Sequence, residues 1–429
     1  MLILHISDIH FRHPACSTPD LDPDRPYRTK LVQDARAHVE QWGTTVDVIL
    51  IGGDIAFRGA KEEYTAALAW IYELADACGC KRERIFVIPG NHDVDRSIIV
   101  HRLSVRNAQQ AIVRASNPER ELAEQFTHKE TGDALLAPLS AYNDFAALFQ
   151  CQVFTPERLY WHQDLPLGEG VSLRIYGLTS TLLSGAGAPQ GQDDNRESLY
   201  LSPLQTVLDP VDNVVNLVMC HHPPDWFKDN DAVADAIEAR ASIHVFGHKH
   251  RQRIARDAQY IRFSAGAVNP DRYEAGWEPG YNLFRLTLGK AGANHYLDIE
   301  AHVMSWQTNP DRFRPKQDEQ GREVFLHRIM LRNIRPQNAV AEVAEVPIPV
   351  VPPFDAEAAM GEERTRNIVL RFWSLASSQR REISERLHLL EDGEMTLPEA
   401  ERYGRVLIRA GKRNQLNELA GEIERMEGR

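Results

Sequence analysis

An α/β fold is the class this sequence predicts, on three observations. Short apolar runs have the unbroken β-branched and aromatic character of buried strands, segments of helical period lie between them, and polar residues gather where each run stops. The clearest case is Arg84–Asp95, RIFVIPGNHDVD, in which Ile85, Phe86, Val87 and Ile88 read as a strand covered on both faces. Gly90 lets the backbone turn sharply beside whatever Asn91 and His92 contact. An amide, an imidazole and the Asp93 carboxylate in succession make a poor core but a good metal or acid–base site.

The same arrangement recurs along the chain. Residues 2–6 are apolar and lead at once to Ser7-Asp8-Ile9-His10. Positions i and i+2 of extended backbone point the same way, so Asp8 and His10 are placed to grip one ion together. His5 reads as a core histidine and His13 as a loop residue. Tyr27–Trp42 carries Leu31, Val32, Ala35 and Val39 at helical spacing, and Asp47–Ile51 is a strand ending in Gly52-Gly53-Asp54. The paired glycines suit a close backbone approach that sets Asp54 deep in a site. Glu62–Ala77 reads as an amphipathic helix with Leu68, Ile71, Tyr72 and Ala75 inward. The pattern is β–α–β–α–β with functional residues at successive strand ends, where doubly wound sheets place their sites.

Ser97–Gln150 is helical in texture, broken at Asn117-Pro118, Thr131-Gly132 and Ala137-Pro138, and reads as an inserted cap. Val171–Leu178 is a strand, and Gly185–Glu197 a polar, glycine-rich loop, read as solvated or disordered, with a border of the site as the alternative. Val214–Cys220 ends in His221-His222-Pro223-Pro224, and Ile243–Phe246 in Gly247-His248-Lys249-His250; His244 is a core residue. Tyr260–Phe263, Tyr281–Leu288 and His295–Val303 read as antiparallel strands of a second sheet, Trp306–Gly321 as loop and Phe325–Ile329 as a further short strand. The domains expected are a catalytic domain over 1–335 with its helical cap at 97–150, a Pro-rich linker over 336–363 around VPIPVVPP, and a helical, partner-binding module over 364–429. In that module Thr396-Leu-Pro-Glu399 is a capping-box start, followed by an apolar stripe of Ala400, Tyr403, Val406, Leu407 and Ala410 that stops at Gly411. Leu416, Leu419, Ile423 and Met426 continue the stripe in a final helix. A core this small is marginal alone and gains by docking or self-association.

At 429 residues and 43% hydrophobic content, the chain can bury a full core and hold more than one domain. Its net charge of -12 gives no general attraction to nucleic acid or anionic membranes, so such contact needs a local basic patch. The cysteines, at 16, 78, 80, 151 and 220, include no CxxC pair, which argues against a disulfide framework and a zinc–thiolate site. Met1 leads straight into LILHIS without a signal-type stretch, and no run is long enough to span a bilayer, so a cytoplasmic protein is expected.

The candidate ligands are Asp8, His10, Asp54, Asn91, His221, His248 and His250, oxygen and imidazole donors with no thiolate. Seven donors exceed the needs of one ion of ordinary geometry. They fit two divalent ions sharing a bridging carboxylate, for which Asp54 on its glycine turn is the natural choice. Such a pair holds a bridging hydroxide as nucleophile; His92 is then free to protonate the leaving oxygen, with Asp93 fixing its tautomer. No serine or cysteine sits in an elbow-type motif.

SDIH, GGD, PGNHD, CHHPP and FGHKH, in this order, resemble the calcineurin-like metallophosphoesterase family over residues 1–250. The resemblance implies a four-layer α-β-β-α sandwich of two mixed sheets and a dinuclear centre of Mn, Fe or Zn. Carried over, Asp8, His10, Asp54 and His250 would hold one ion, and Asp54, Asn91, His221 and His248 the other; His221 is chosen over His222 as the first of its pair. The HHPP and GHxH blocks are similar to those of the bacterial cyclic-nucleotide phosphodiesterase branch, from which the cap and the tail depart. The tail, with EMTLPEAERYGRVLIRAG, resembles the small helical effector-associated modules that tether bacterial conflict-system enzymes to regulatory partners. The expectation is a phosphodiesterase acting on nucleotides. The alternatives are a DNA or RNA nuclease in antiviral defence recruited through its tail, with the arginines of Arg102–Arg120 and His248–Arg256 as fragments of a groove, and an inert scaffold.

Overall fold

The computed structural model describes residues 1–154, 159–186, 194–269, 278–292, 294–334 and, further on, 368–369, 371–373, 375, 377–391, 394 and 399–426. Two compact units are present: Met1–Phe145 with Cys151–Glu342, and Ala146–Gln150 with Val343–Arg429. The Pro-rich stretch 336–363 and Thr396–Pro398 of the expected capping box lie outside the described residues.

The larger unit opens with β1 (Leu2–Ile6), α1 (Arg25–Trp42), β2 (Val48–Ile51), α2 (Lys61–Cys78) and β3 (Ile85–Val87). Every residue of β1, β2 and β3 is buried, as uninterrupted apolar runs require. Helices α3 (Arg96–His101), α4 (Leu103–Arg114), α5 (Pro118–Thr127), α6 (Lys129–Leu136) and α7 (Ser140–Ala146) follow. Of these, α4, α5 and α6 bury Ala108, Ile112, Leu122 and Leu135 in a cluster with Leu182 and Leu183. Gln109 of α4 donates to the Leu182 carbonyl at 3.1 Å, which ties the cap to that loop.

Next come β4 (Tyr160–Gly168), β5 (Val171–Leu178), β6 (Val214–Cys220), α8 (Asn230–Arg240), β7 (Ile243–Phe246), β8 (Arg253–Arg256) and β9 (Ile261–Ser264). The chain then forms β10 (Gly280–Ala291), β11 (Asn294–Gln307), β12 (Arg312–Pro315) and β13 (Phe325–Leu331). One sheet runs β12-β11-β10-β1-β2-β3 with β13 also paired to β11, and the other runs β4-β5-β6-β7-β9-β8. The sheets face each other, Phe263 stacking on Phe284 at 4.6 Å and Phe86 on Trp161 at 5.8 Å. On the outer side of the first sheet, Tyr281 donates to Asp34 of α1 at 2.6 Å. Behind the second, Val233 and Ile237 of α8 pack with Val218 and Phe246. Helices therefore flank two mixed sheets, giving the four-layer architecture.

Several readings of the sequence are corrected. The strands after residue 260 do not make a second sheet of their own: β9 adds in parallel to β7, while β10 joins the first sheet antiparallel to β1. Apolar alternation marks a strand without naming its partner, and here the partner is more than 270 residues away. Within 306–321, β12 forms because Phe313 packs on Trp306 and Tyr281. The edge strands β4 and β8 were not expected, since both mix polar and apolar residues. In α2 the buried face centres on Ala67, Trp70, Ile71 and Leu74, leaving Leu68 and Tyr72 half-buried. The described ends of Gly185–Glu197 are not merely solvated, because Asp194 is buried and accepts from the Gly185 amide at 2.9 Å.

The smaller unit has its own core, in which Phe372, Ile383, Leu389, Tyr403, Val406, Ala410, Leu419 and Ile423 are buried. Its helices include Glu399–Lys412 and Leu416–Met426, which bury the expected stripe at Tyr403, Val406, Ala410, Leu419 and Ile423. No described helix is long and apolar enough to cross a membrane.

His244 is the core residue expected: its Nε2 donates to the Ala241 carbonyl at 2.9 Å and its ring stacks on Tyr260 at 4.7 Å. Burial pushes its pKa down from 6.5 to about 4. The folded chain thus holds it neutral, while the unfolded chain protonates it near 6.5. Its contribution is present above that pH and lost as pH falls toward 4, at about 1.4 kcal/mol per pH unit. Urea unfolding of the wild type and His244→Leu at pH 7 and pH 5 should show a shallower acid loss in the variant. Equal losses would contradict the assignment.

Candidate metal centre

The ends of β1, β2, β3, β6 and β7 open on one side, and the loops that follow them carry the seven candidate ligands into one place. Asp8, His10, Asp54, Asn91 and His221 are buried to 2% exposure or less, and His248 and His250 are half-buried. Asp54 sits in the middle. Its Oδ2 lies 3.2 Å from His10 Nε2 and 3.4 Å from His221 Nε2, while its Oδ1 accepts from the His92 amide at 2.7 Å. On one side Asp8 Oδ1 is 3.3 Å from His250 Nε2. On the other, Asn91 Oδ1 is 3.1 Å from His221 Nε2 and 2.9 Å from His248 Nδ1. Ligand atoms of Asp8, His10 and His250 all lie within 4.8 Å of one another, as do those of Asp8, Asp54 and His221.

The backbone is bent to achieve this. Asp8, His10, Asp54, His248 and His250 all adopt the left-handed conformation, with φ between 51° and 67°. Non-glycine residues reach that region at a cost, and clusters of them mark sites where the surrounding structure over-determines the geometry. Glycines give the room. A Cβ on Gly90 would lie 2.1 Å from Asp54 Oδ1, and one on Gly53 would lie 2.7 Å from His221 Nδ1.

Backbone carbonyls aim two of the imidazoles. His221 Nδ1 faces the Gly52 carbonyl at 2.8 Å and His10 Nδ1 the Asn269 carbonyl at 3.2 Å, so in both rings the Nδ1 proton is held outward and Nε2 turns to the centre. The field there is negative. Burial works against a charged His221, yet Asp54 beside it raises its pKa to about 9. Burial likewise opposes ionised Asp8, but the His250 hydrogen bond and the charges of His250 and His221 hold it at about 2. A place that binds a proton this firmly offers the same attraction to a metal cation. The donor set, all oxygen and imidazole, suits divalent Mn, Fe or Zn. The residues present fit such ions.

His92 lies alongside, its ring stacked on Phe57 at 4.9 Å and edge-on to His10 at 4.9 Å. Its Nδ1 is 3.0 Å from the Phe57 carbonyl. The expectation that Asp93 fixes the His92 tautomer is therefore corrected: the Phe57 carbonyl occupies that position. The Asp93 carboxylate is buried and fully engaged elsewhere, accepting from the amides of Ile55, Ala56 and Gly90 and from the Tyr64 hydroxyl at 2.8–3.2 Å. Asp93 thus braces the Asp54 loop against the Gly90 turn. Burial and the charge of Asp54 push its pKa up to about 6 against those hydrogen bonds.

His222 is buried beside His221, with Nδ1 2.9 Å from Ser180 Oγ and Nε2 3.7 Å from Asp194 Oδ2, while His221 points to Asp54 and Asn91. Ligand atoms of His221, His222 and His248 also lie within 4.8 Å of one another. Sequence reasoning missed Phe57, Asn269 and Trp226, whose ring meets His248 edge-on at 4.1 Å. The first two act through backbone carbonyls, which leave no mark in a sequence.

Residues 1–252 match the family model of the Calcineurin-like phosphoesterases, and residues 364–425 match that of the GTPase-associated adaptor domain. No curated protein matches the chain. Similar solved structures include GAP50, described as the anchor in the inner membrane complex of Plasmodium, at 9% identity and a TM-score of 0.38, covering 83% of this chain and 99% of that one. A predicted phosphoesterase from Streptococcus pneumoniae is 11% identical, with a TM-score of 0.24 and coverage of 70% and 87%. A putative 5′-nucleotidase from Staphylococcus aureus is 13% identical, with a TM-score of 0.31 and coverage of 85% and 58%.

If Gly90 is needed for the approach of Asp54, Gly90→Ala should destabilise the fold by about 1–3 kcal/mol through overpacking and lower bound metal at least tenfold. Denaturant unfolding and metal content after Mn²⁺ loading would check both. Wild-type metal content in the variant would show that the Asp54 position does not govern binding.

Proposed function

Because the chain belongs to the calcineurin-like phosphoesterase family, we propose that its metal-dependent phosphoester hydrolysis is directed at phosphodiesters of nucleotides. The observation that carries the reading is the placing of Asp54 Oδ2 between His10 and His221, with further oxygen and imidazole donors on either side. Asp8, His10, Asp54 and His250 would hold one ion, and Asp54, Asn91, His221 and His248 a second. When bound, the ions supply positive charge for the phosphoryl oxygens and acidify water.

The protein's own part is positioning and proton transfer. His92 is held with Nδ1 toward the Phe57 carbonyl, so Nε2 is the atom free to exchange a proton. Burial, more than any other influence, lowers its pKa in the free chain. An incoming phosphodiester carries negative charge, which raises the proton affinity of the imidazole and makes it the donor to the leaving oxygen. The centre is recessed, so the phosphate enters a site with little competing water. On this reading residues 1–335 are the catalytic domain with 97–150 as its cap, and 364–429, which includes the adaptor-type match, is a protein-binding unit reached through the Pro-rich stretch.

Metal-stripped protein reloaded with Mn²⁺ should hydrolyse bis-p-nitrophenyl phosphate in preference to p-nitrophenyl phosphate, and Asp54→Ala should lower kcat by about 10³-fold or more. A monoester preference would redirect the assignment to phosphatase substrates. His92→Ala gives a sharper test, because p-nitrophenolate leaves without a proton and an alkoxide does not. The variant should lose less than about tenfold on the nitrophenyl diester but about 10²–10⁴-fold on a 3′,5′-cyclic nucleotide. Equal losses on both would remove His92 from the proton-donor role.

A further inference from the structure

The metal centre forms one end of a cleft of about 870 Å³ whose other walls belong to neither the ligands nor the cap. Its lining includes Pro223, Pro224 and Trp226, Asn230 and Asp231 of α8, and Lys249, Arg251 and Arg253, continuing to Arg262 on β9. The cations are ordered by the sheet. Strand β8 pairs antiparallel with β9 so that Arg253 lies opposite Ser264 and Ala255 opposite Arg262, and all four line the cleft. Phe263 and Ile261 between them are buried in the core behind. Arg251 lies two residues before Arg253, just ahead of β8, and both line the cleft.

These cations are not equivalent. Lys249 is paired with Asp225, and Arg262 with Glu238 at 2.5 Å. Arg251 and Arg253 are exposed and, among the described residues, have no ion-pair partner. Asp225 and Asp231 also line the cleft, but Asp225 is held by Lys249, so Arg251 and Arg253 stand as two guanidinium groups open to a polyanion in a chain of net charge -12. Guanidinium is the group best matched to phosphate oxygens. In the same lining Trp226 is half-buried and held edge-on by His248, a fixed aromatic surface of the kind on which an unpaired base stacks.

We propose that this cleft binds single-stranded nucleic acid. One phosphodiester of the strand reaches the metal centre, an adjoining base stacks on Trp226, and the next phosphates of the strand lie on Arg251 and Arg253. A duplex is disfavoured because the scissile phosphate must descend to Asp54 and Asn91, which are 1% and 2% exposed, and because stacking on Trp226 requires an unpaired base. Hydrolysis at the centre then consumes one water: a P–O bond forms to the water oxygen, the P–O bond to the leaving sugar oxygen breaks, and that oxygen takes up a proton. The inference rests on the phosphodiesterase reading above and names its substrate.

Binding and cleavage test it separately. Anisotropy of fluorescent single-stranded DNA and RNA oligonucleotides, titrated with full-length protein in EDTA, should show salt-dependent binding. Arg251→Ala/Arg253→Ala should weaken it at least tenfold and make the plot of log K against log salt shallower by about 1.4, for two lost phosphate contacts. Trp226→Ala should weaken binding with no change of slope. With Mn²⁺ the single strands should be cut, and the arginine double variant should lower the ratio of oligonucleotide to bis-p-nitrophenyl phosphate turnover by tenfold or more. Unchanged binding and ratio in the double variant, or binding of duplex as tight as of single strand, would overturn the inference while turnover of the small diester leaves the phosphodiesterase reading standing. Loss of all turnover in metal-loaded wild-type protein would overturn that reading itself.

Discussion

The carboxylate of Asp54 is buried where the strand ends of the two sheets meet, and much of the site geometry follows from keeping it there. A charge in that position is tolerated only if its oxygens are satisfied, and they are, by His10, His221 and the His92 amide. Its main chain is drawn so close to the PGNHD turn that only glycine fits at position 90. That turn is in turn fastened by Asp93, which takes amides from both loops at once. The arrangement has two carboxylates with separate duties. Asp54 faces the imidazoles, where positive charge is favoured, while Asp93 faces amide and hydroxyl donors and serves as a structural acceptor.

This division explains the left-handed backbone at Asp8, His10, Asp54, His248 and His250. A strand delivers side chains alternately to its two faces, and the strands here are buried on both. A residue just past the strand end must therefore leave the extended conformation to aim across the sheet edge. Positive φ does so within one residue. The strain stays in place because the loops are pinned by hydrogen bonds such as Asp8 N to the Gly53 carbonyl at 3.0 Å and His10 N to the Asp54 carbonyl at 3.0 Å.

The sequence makes the buried strands and the polar residues at their ends legible because both are local signals: an apolar run, then a glycine or proline, then donors. Every candidate ligand position could be read in this way, and the geometry brings all seven together. The pairing of β10 with β1 was not legible, since alternation says which face is buried and nothing about which strand lies alongside. Strand β8 was hidden for a related reason: at a sheet edge both faces can be polar, and RIAR looks like loop. The role given to Asp93 failed because a neighbour in sequence was preferred to a carbonyl at Phe57, and main-chain acceptors are invisible until the chain is folded. Trp226 carries no signal in the sequence, and the fold alone sets its ring against His248 in the lining of the cleft.

A centre of this kind is indifferent to what lies beyond the phosphate it holds, so substrate choice falls to the walls. At physiological ionic strength charges are screened over about 8 Å. The overall charge of -12 is then felt weakly by a strand already inside the cleft, while Arg251 and Arg253 act at contact range. Before entry the balance reverses, because a polyanion approaching from solution meets the negative field of the molecule first. On the proposed reading selectivity and approach are thereby opposed, because the arginines that would hold a phosphate chain at contact range belong to a chain whose net charge of -12 repels it at a distance.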